Sequence, residues 1–336
     1  MSEHVRQPRI RHLTGDYGDM GWALGTGLDW TAVLAEAVGN PELAAQCERL
    51  AERVYPPAVA KFHGIVEALG VRPEALRPWY FVRGATIGCT TFAFEQDVPV
   101  VGRAYHWFHE AAKWCEVRRV EPRGARAFMG YTHNAVGVPD GMNDAGLCVF
   151  LSALPPTPVQ RPGLPWHAVM DWVLGSTATA GGAVELLTSI PHVRPFVYFL
   201  ADAFGGLAAV EAFPDGTHVR RAEGGLLVAT NYSVCRGIPE RHEGRHGEAE
   251  RLLSGRQQPL TAQDARAIVA SHDGPFCAGR HAGAIDEFRD PDWYTLWGLV
   301  AEPAQRRLSL APGQPCRTPW VELPVGRDVE GNPGCH

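Results

Sequence analysis

The stretch RGATIGCTTFAF, residues 83–94, divides this 336-residue chain into two textures. Ahead of it, residues 1 to about 80 read mostly as helix. Asn40-Pro41 supplies a cap and a first-turn proline. Leu43, Ala44, Cys47, Leu50, Ala51 and Val54 then recur at helical spacing until Pro56-Pro57. Val59, Phe62, Ile65, Val66 and Leu69 mark one face of a second helix that stops near Gly70. From Thr86 onward the chain changes to short apolar runs between Gly, Pro, Asn and Asp turns. These are VPVVGRAY (98–105), GLCVFLSAL (146–154), FVYFLADAF (196–204), LAAVEAF (207–213), GLLVATN (225–231), LWGLVAEP (296–303) and RRLSLAP (306–312). Such close spacing favours antiparallel sheets. Helical stretches interrupt them at 166–174, 182–189, 246–253 and 261–270. Strands in a block with helices in blocks predict an α+β layered fold.

Composition sets the outer bounds. The chain is 45% hydrophobic and 20% charged, so an ample core is expected. Its net charge is -6, from 31 basic and 37 acidic residues, which gives no electrostatic reason to expect nucleic acid or an anionic membrane as partner. The start, MSEHVRQPRIRH, lacks the apolar run of a signal peptide, and a cytoplasmic location is expected. The 8 cysteines are then expected as thiols, seven of them as small buried hydrophobes. The Pro-rich segment 155–165 reads as a surface loop, a candidate cover for an active site.

Within the dividing stretch, Gly88-Cys89 has a chemical reading. Glycine before cysteine tolerates a strained backbone, which would help the thiol attack the preceding carbonyl. Hydrolysis of the resulting thioester would leave Cys89 with a free α-amino group. With a reference pKa of about 7.7–8.0, that amine can take the thiol proton near neutrality and later return it to a leaving group. The plain alternative is a buried thiol at a strand start.

The company of this segment is more specific. GRAYHW (102–107), GMNDAGLCVFLSAL (141–154), VATNYS (228–233), SHDGPFCAGRH (271–281) and YTLWGLVAEPAQRRLSLAPGQPC (294–316) follow in order, after HLTGDYGDMGWALGTG (12–27) and FHGIVEALGV (62–71). The set resembles the autoproteolytic acyltransferase family of isopenicillin-N acyltransferase and carcinine hydrolase, N-terminal nucleophile hydrolases related to penicillin V acylase and bile salt hydrolase. The resemblance implies a four-layer αββα sandwich, two antiparallel sheets flanked by helices. It also implies cleavage between Gly88 and Cys89 into fragments 1–88 and 89–336 that stay associated. Cys89 matches the nucleophile, and Asn231 the oxyanion-hole asparagine. The second oxyanion donor falls on a backbone N–H near Ala153 or Leu154. Arg103 matches the arginine beside the nucleophile, and Arg245 a second active-site arginine. Where the family has an Asp near the α-amine, this chain has His106, either an auxiliary base or a structural residue. Leu154, Tyr105 and Trp107 are candidates for substrate contact. Phe92, Phe94 and Phe108 could line an acyl pocket or belong to the core.

The implied activity is amide hydrolysis or acyl transfer on a small N-acyl or acyl-thioester substrate, with no cofactor or metal. The partners are that substrate and the chain's own 1–88 fragment, with homo-oligomerisation left open. Two alternatives stand beside it. One is an unprocessed, silent relative that binds ligands. The other is a zinc hydrolase using His242 and His246 of H-E-x-x-H, although Gly244, Gly247 and Pro239 argue against the stable helix such a site needs. His109, His133 and His167 read as structural or surface residues.

Overall fold

The structure, a computed structural model, describes residues 8–35, 39–84, 88–239, 244–256, 258–278 and 293–326. The N-terminal part opens with strand β1 (Ile10–Gly15) and continues as helices α1 (Tyr17–Gly27), α2 (Thr31–Ala35), α3 (Pro41–Val54), α4 (Pro56–Leu69) and α5 (Pro73–Val82). The boundaries have local causes. Asp16 and Asp19 form a capping box at α1. The Asn40 side chain accepts from Leu43 N ahead of Pro41, and Gly70 closes α4 at φ 62°. The two glycine-rich segments meet here. A Cβ on Gly64 would lie 2.2 Å from the Gly18 carbonyl oxygen, and one on Gly21 would lie 2.1 Å from that of Lys61. Only bare backbone lets α1 and α4 approach so closely. Lys61 of α4 also forms a buried ion pair with Asp171 at 2.7 Å.

The strands follow as β2 (Gly88–Phe94), β3 (Val101–Phe108), β4 (Glu116–Pro122), β5 (Phe128–Thr132), β6 (Asp140–Asn143) and β7 (Cys148–Ala153). After α6 (Trp166–Ser176) and α7 (Ala180–Ser189) come β8 (Phe196–Ala201), β9 (Leu207–Phe213), β10 (Gly216–Arg220) and β11 (Leu226–Ala229). Helices α8 (Arg245–Leu253) and α9 (Ala262–Val269) precede β12 (Trp293–Glu302), β13 (Arg307–Ala311) and β14 (Val321–Pro324). An eight-stranded sheet runs β1-β4-β5-β6-β7-β8-β9-β10, and a six-stranded sheet runs β11-β2-β3-β12-β13-β14.

The layers are αββα. Helices α1 and α3–α7 bury Met20, Phe62, Phe81 and Val173 with Leu151 and Tyr198 of the larger sheet. Between the sheets, Cys89, Tyr105 and Trp297 pack with Tyr131, Phe150 and Phe199. On the outer face of the smaller sheet, Phe92, Phe94 and Val300 pack with Leu253, Ile268 and Val269 of α8 and α9. Alternation along β2 thus sends Cys89 inward and Phe92 and Phe94 outward, away from Cys89.

Two expectations need correction. The sheets are not wholly antiparallel, because β1 pairs parallel with β4. The long helical excursion between them supplies the connection that parallel pairing requires. The N-terminal part is also not wholly helical. Strand β1 is an edge strand that buries only Leu13, too polar to show alternation. Among the described residues, no helix is long and apolar enough to cross a membrane.

Candidate active site

Cys89 is the second residue of β2, fully buried, and faces Tyr105 across to β3. Its backbone N–H donates to Asn231 Oδ1 at 2.8 Å. Arg245 Nη2 donates to that same oxygen at 2.5 Å, while Asn231 Nδ2 donates to the Ala153 carbonyl at 2.6 Å. Two donors on one side and a carbonyl on the other fix the orientation of the carboxamide. Asn231 follows the end of β11, which pairs with β2, so strand pairing delivers it to Cys89. Arg245 is the first residue of α8 and is buried. A helix N-terminus disfavours a cation, so helix stability does not account for an arginine there.

Arg103 lies two residues along β3 from Tyr105 and on the same face. Its guanidinium is fully buried and held by four hydrogen bonds and an ion pair. Nε reaches Asp140 Oδ2 at 3.1 Å, and Nη1 reaches Thr91 Oγ1 at 2.8 Å and Ser152 Oγ at 2.9 Å. Nη2 reaches the Leu151 carbonyl at 2.6 Å and lies 2.9 Å from Asp140 Oδ1. Trp297 Nε1 donates to Asp140 Oδ2 at 2.9 Å, and its ring stacks on Tyr105 at 3.6 Å. Burial opposes the Arg103 charge, but Asp140 outweighs it and holds the guanidinium pKa above its ordinary value. Burial raises the Asp140 carboxyl, against the pull of Arg103 and Trp297.

These groups set the state of Cys89. Burial pushes its thiol up to about 11, while Arg103 and Arg245 pull it down and Asp140 adds to the rise. In the intact chain the Cys89 nitrogen is an amide and cannot serve as a base. The thiol is therefore held protonated until another proton acceptor appears.

Cys89, Tyr105, Arg103, Asn231 and Arg245 are thus brought together. His106 is the register partner of Gly88 but points to the opposite face, where Nδ1 lies 2.9 Å from Thr295 Oγ1 and Nε2 lies 3.4 Å from the Pro275 carbonyl. Leu154 N donates to the Pro195 carbonyl at 3.1 Å, next to the carbonyl that receives Asn231. The Pro-rich loop runs toward the helical layer, with Gln160 Oε1 accepting from Asn40. Trp107 and Phe108 line a cleft of about 460 Å³ with Trp79, Trp114, Arg83 and His133. His133 joins this cleft to Cys89 through Tyr105, whose hydroxyl lies 2.9 Å from its Nε2. Of the zinc alternative, His246 packs by Thr230, Tyr232 and Glu250, and His242 lies outside the described residues. Sequence reasoning missed Asp140, Ser152 and Trp297, and read His133 as peripheral. Asp140 adjoins the quoted GMNDAGL segment, and its alternation on β6 was the available signal.

A family model described as acyl-coenzyme A:6-aminopenicillanic acid acyl-transferase matches residues 95–316. The chain belongs to this acyltransferase family. The matched stretch holds Arg103, His106, Asn231 and Arg245, and begins after Cys89. Among solved structures, the chain is similar to an N-acylethanolamine-hydrolyzing acid amidase ortholog from Caenorhabditis elegans, with 14% identity, 64% of this chain and 93% of that chain covered, and TM-score 0.48. Penicillin V acylase from Agrobacterium tumefaciens gives 19% identity, coverages of 70% and 86%, and TM-score 0.43. A variant of conjugated bile acid hydrolase from Clostridium perfringens gives 12% identity, coverages of 72% and 100%, and TM-score 0.44. A search of curated protein sequences returns no significant match.

Proposed function

We propose that this protein is a self-processing cysteine amidohydrolase or acyltransferase that cleaves its own Gly88–Cys89 bond and then works through a Cys89 thioester. The observation that carries this reading is the contact of the Cys89 N–H with Asn231 Oδ1, in a site flanked by Arg103 and Arg245.

In the first step, Cys89 Sγ attacks the Gly88 carbonyl carbon. The C–N bond breaks, the thiol proton ends on the departing nitrogen, and a thioester joins Gly88 to Sγ. Water then hydrolyses the thioester, leaving a Gly88 carboxylate, a free thiol and an α-amine. Near neutrality that amine is partly unprotonated and receives the thiol proton. Asn231 Oδ1, which already accepts from this nitrogen, orients it. The acceptor role that a carboxylate fills in relatives thus passes to Asn231, with His106 on the far side of Gly88.

The thiolate next attacks the substrate carbonyl. Asn231 Nδ2 meets the developing oxyanion, such a donor being worth roughly 2.7–4 kcal/mol, while the Leu154 N–H is taken by the Pro195 carbonyl. The amine returns its proton to the leaving nitrogen. Water or an acceptor amine then resolves the acyl-enzyme, giving hydrolysis or acyl transfer. The cleft of Trp79, Trp107, Phe108 and Trp114 suits an apolar acyl group.

Denaturing electrophoresis tests the reading directly. The wild type should convert to two bands, while Cys89→Ala should stay as one. A wild-type chain that remains intact after long incubation would sink the proposal.

A further inference from the structure

Away from this site, His272, Cys277 and Cys316 each bring one ligand atom within 4.8 Å of the others. They come from two segments, the loop after α9 and the connection between β13 and β14. We propose that these three side chains bind a thiophilic cation of the zinc class.

The donor set makes the choice. Two sulfurs and an imidazole select zinc-like ions over magnesium or calcium, which take oxygen ligands. Tetrahedral zinc with bonds of about 2.0–2.3 Å places its ligands about 3.5–3.8 Å apart, so closure needs a contraction of at most about 1 Å. His272 Nδ1 lies 3.0 Å from the Cys277 carbonyl. As an N–H donor there, it keeps the Nε2 lone pair for a metal, the outer-sphere arrangement typical of ligating histidines. His272 and Cys316 are exposed while Cys277 is buried, so an ion enters from solvent and is held at depth. On binding, both thiols release their protons to the buffer, and no redox change is involved. A Cys277–Cys316 disulfide is the competing chemistry, but it leaves the third donor without a purpose.

Binding would also tie down the loop that backs the nucleophile strand. Thr90 Oγ1 donates to the Pro275 carbonyl at 3.0 Å, and Ala278 N donates to Thr295 Oγ1 at 2.7 Å. Gln314, two residues before Cys316, donates to the Ala278 carbonyl at 2.9 Å.

The test uses the full chain with Cys89→Ala, so that the nucleophile contributes no thiolate signal. Protein purified under reducing conditions without chelator should carry about one zinc per chain by elemental analysis, against under about a tenth for an added Cys316→Ser or His272→Ala. Exchange with Co²⁺ should give a sulfur-to-cobalt charge-transfer band that Cys316→Ser abolishes. Zinc returned to chelator-stripped parent should raise its thermal midpoint by several degrees and leave Cys316→Ser unmoved. The proposal is overturned if the parent neither retains zinc nor develops the cobalt band. An intact mass two hydrogens light under reducing conditions overturns it in favour of the disulfide. Zinc retained in Cys316→Ser but lost in His246→Ala overturns it in favour of another site.

Discussion

Replacing Asp140 with Asn tests the charge pair beneath Cys89. Asp140 is fully buried, with Oδ2 accepting from Arg103 Nε and Trp297 Nε1, and Oδ1 lying 2.9 Å from Arg103 Nη2. The amide keeps the shape and removes the charge. It also turns an N–H toward a guanidinium that has only donors. Arg103 keeps Thr91, Ser152 and the Leu151 carbonyl, all neutral, so a positive charge is stranded in the core. Breaking one side of such a pair costs about 3–5 kcal/mol, whereas apolar replacement of both sides is often neutral. Denaturant unfolding in a Cys89→Ala background, which keeps the chain intact, should therefore show Asp140→Asn about 3–5 kcal/mol less stable. Arg103→Met combined with Asp140→Leu should lose less than the two single changes together. With Cys89 restored, the thiol should become more acidic, because Asp140 pushes it upward. Stability and thiol acidity thus move in opposite directions. A loss for Asp140→Asn below about 1 kcal/mol, or a double replacement costing at least the sum of the singles, would refute the reasoning.

Arg245→Met removes a charge that lowers the Cys89 thiol pKa and one donor to Asn231. Self-cleavage should slow about tenfold per unit of pKa rise and recover toward alkaline pH, read from band conversion between pH 7 and 9. An unchanged rate would exclude Arg245 from activation. Burial lowers His133 and His167 to about 3 and His192 to about 4, so the folded state keeps them neutral while the unfolded chain takes protons below about 6.5. Their contribution is whole above 6.5 and is lost as pH falls toward 3, by about 2 kcal/mol each at pH 5. Urea midpoints at pH 7 and 5 should show the drop, and His192→Gln should reduce it by about 2 kcal/mol, the share of one such histidine. Trp107→Ala removes one aromatic wall of the cleft, and KM for a long-chain acyl amide should rise about 10- to 100-fold with kcat little changed. Equal KM values would place the acyl group elsewhere.

The layered fold was legible where local chemistry is strong. Asn40-Pro41, Pro56 and Gly70 bound their helices as their caps dictate, and the apolar runs became β7, β8, β9 and β13. The polar strands were not legible. In β4, EVRRVEP hides Arg118, a fully buried arginine held by Glu116 and by the carbonyls of Asn134 and Gly137. Composition alone assigns such a residue to the surface. Cysteines misled in the other direction, since Cys235 and Cys316 are exposed. At the candidate site, Cys89, Arg103, Asn231 and Arg245 were legible as motif positions. Asp140 was not, because only the register of the two sheets brings it to Arg103. The reversal of His106 relative to Cys89 follows from counting alternation along β3, once its pairing with β2 is known.

The parallel β1–β4 pairing bears on what a cut at Gly88–Cys89 does to the molecule as a thermodynamic object. The piece ahead of the cut supplies an edge strand and half of the outer helical core. While the chain is whole, refolding is unimolecular and insensitive to dilution. After the cut, the same native contacts require two molecules to find each other, so the refolded yield depends on concentration and the stability on the standard state. Maturation would then work as a ratchet, with the native structure reached through the uncut chain and retained mainly by slow unfolding.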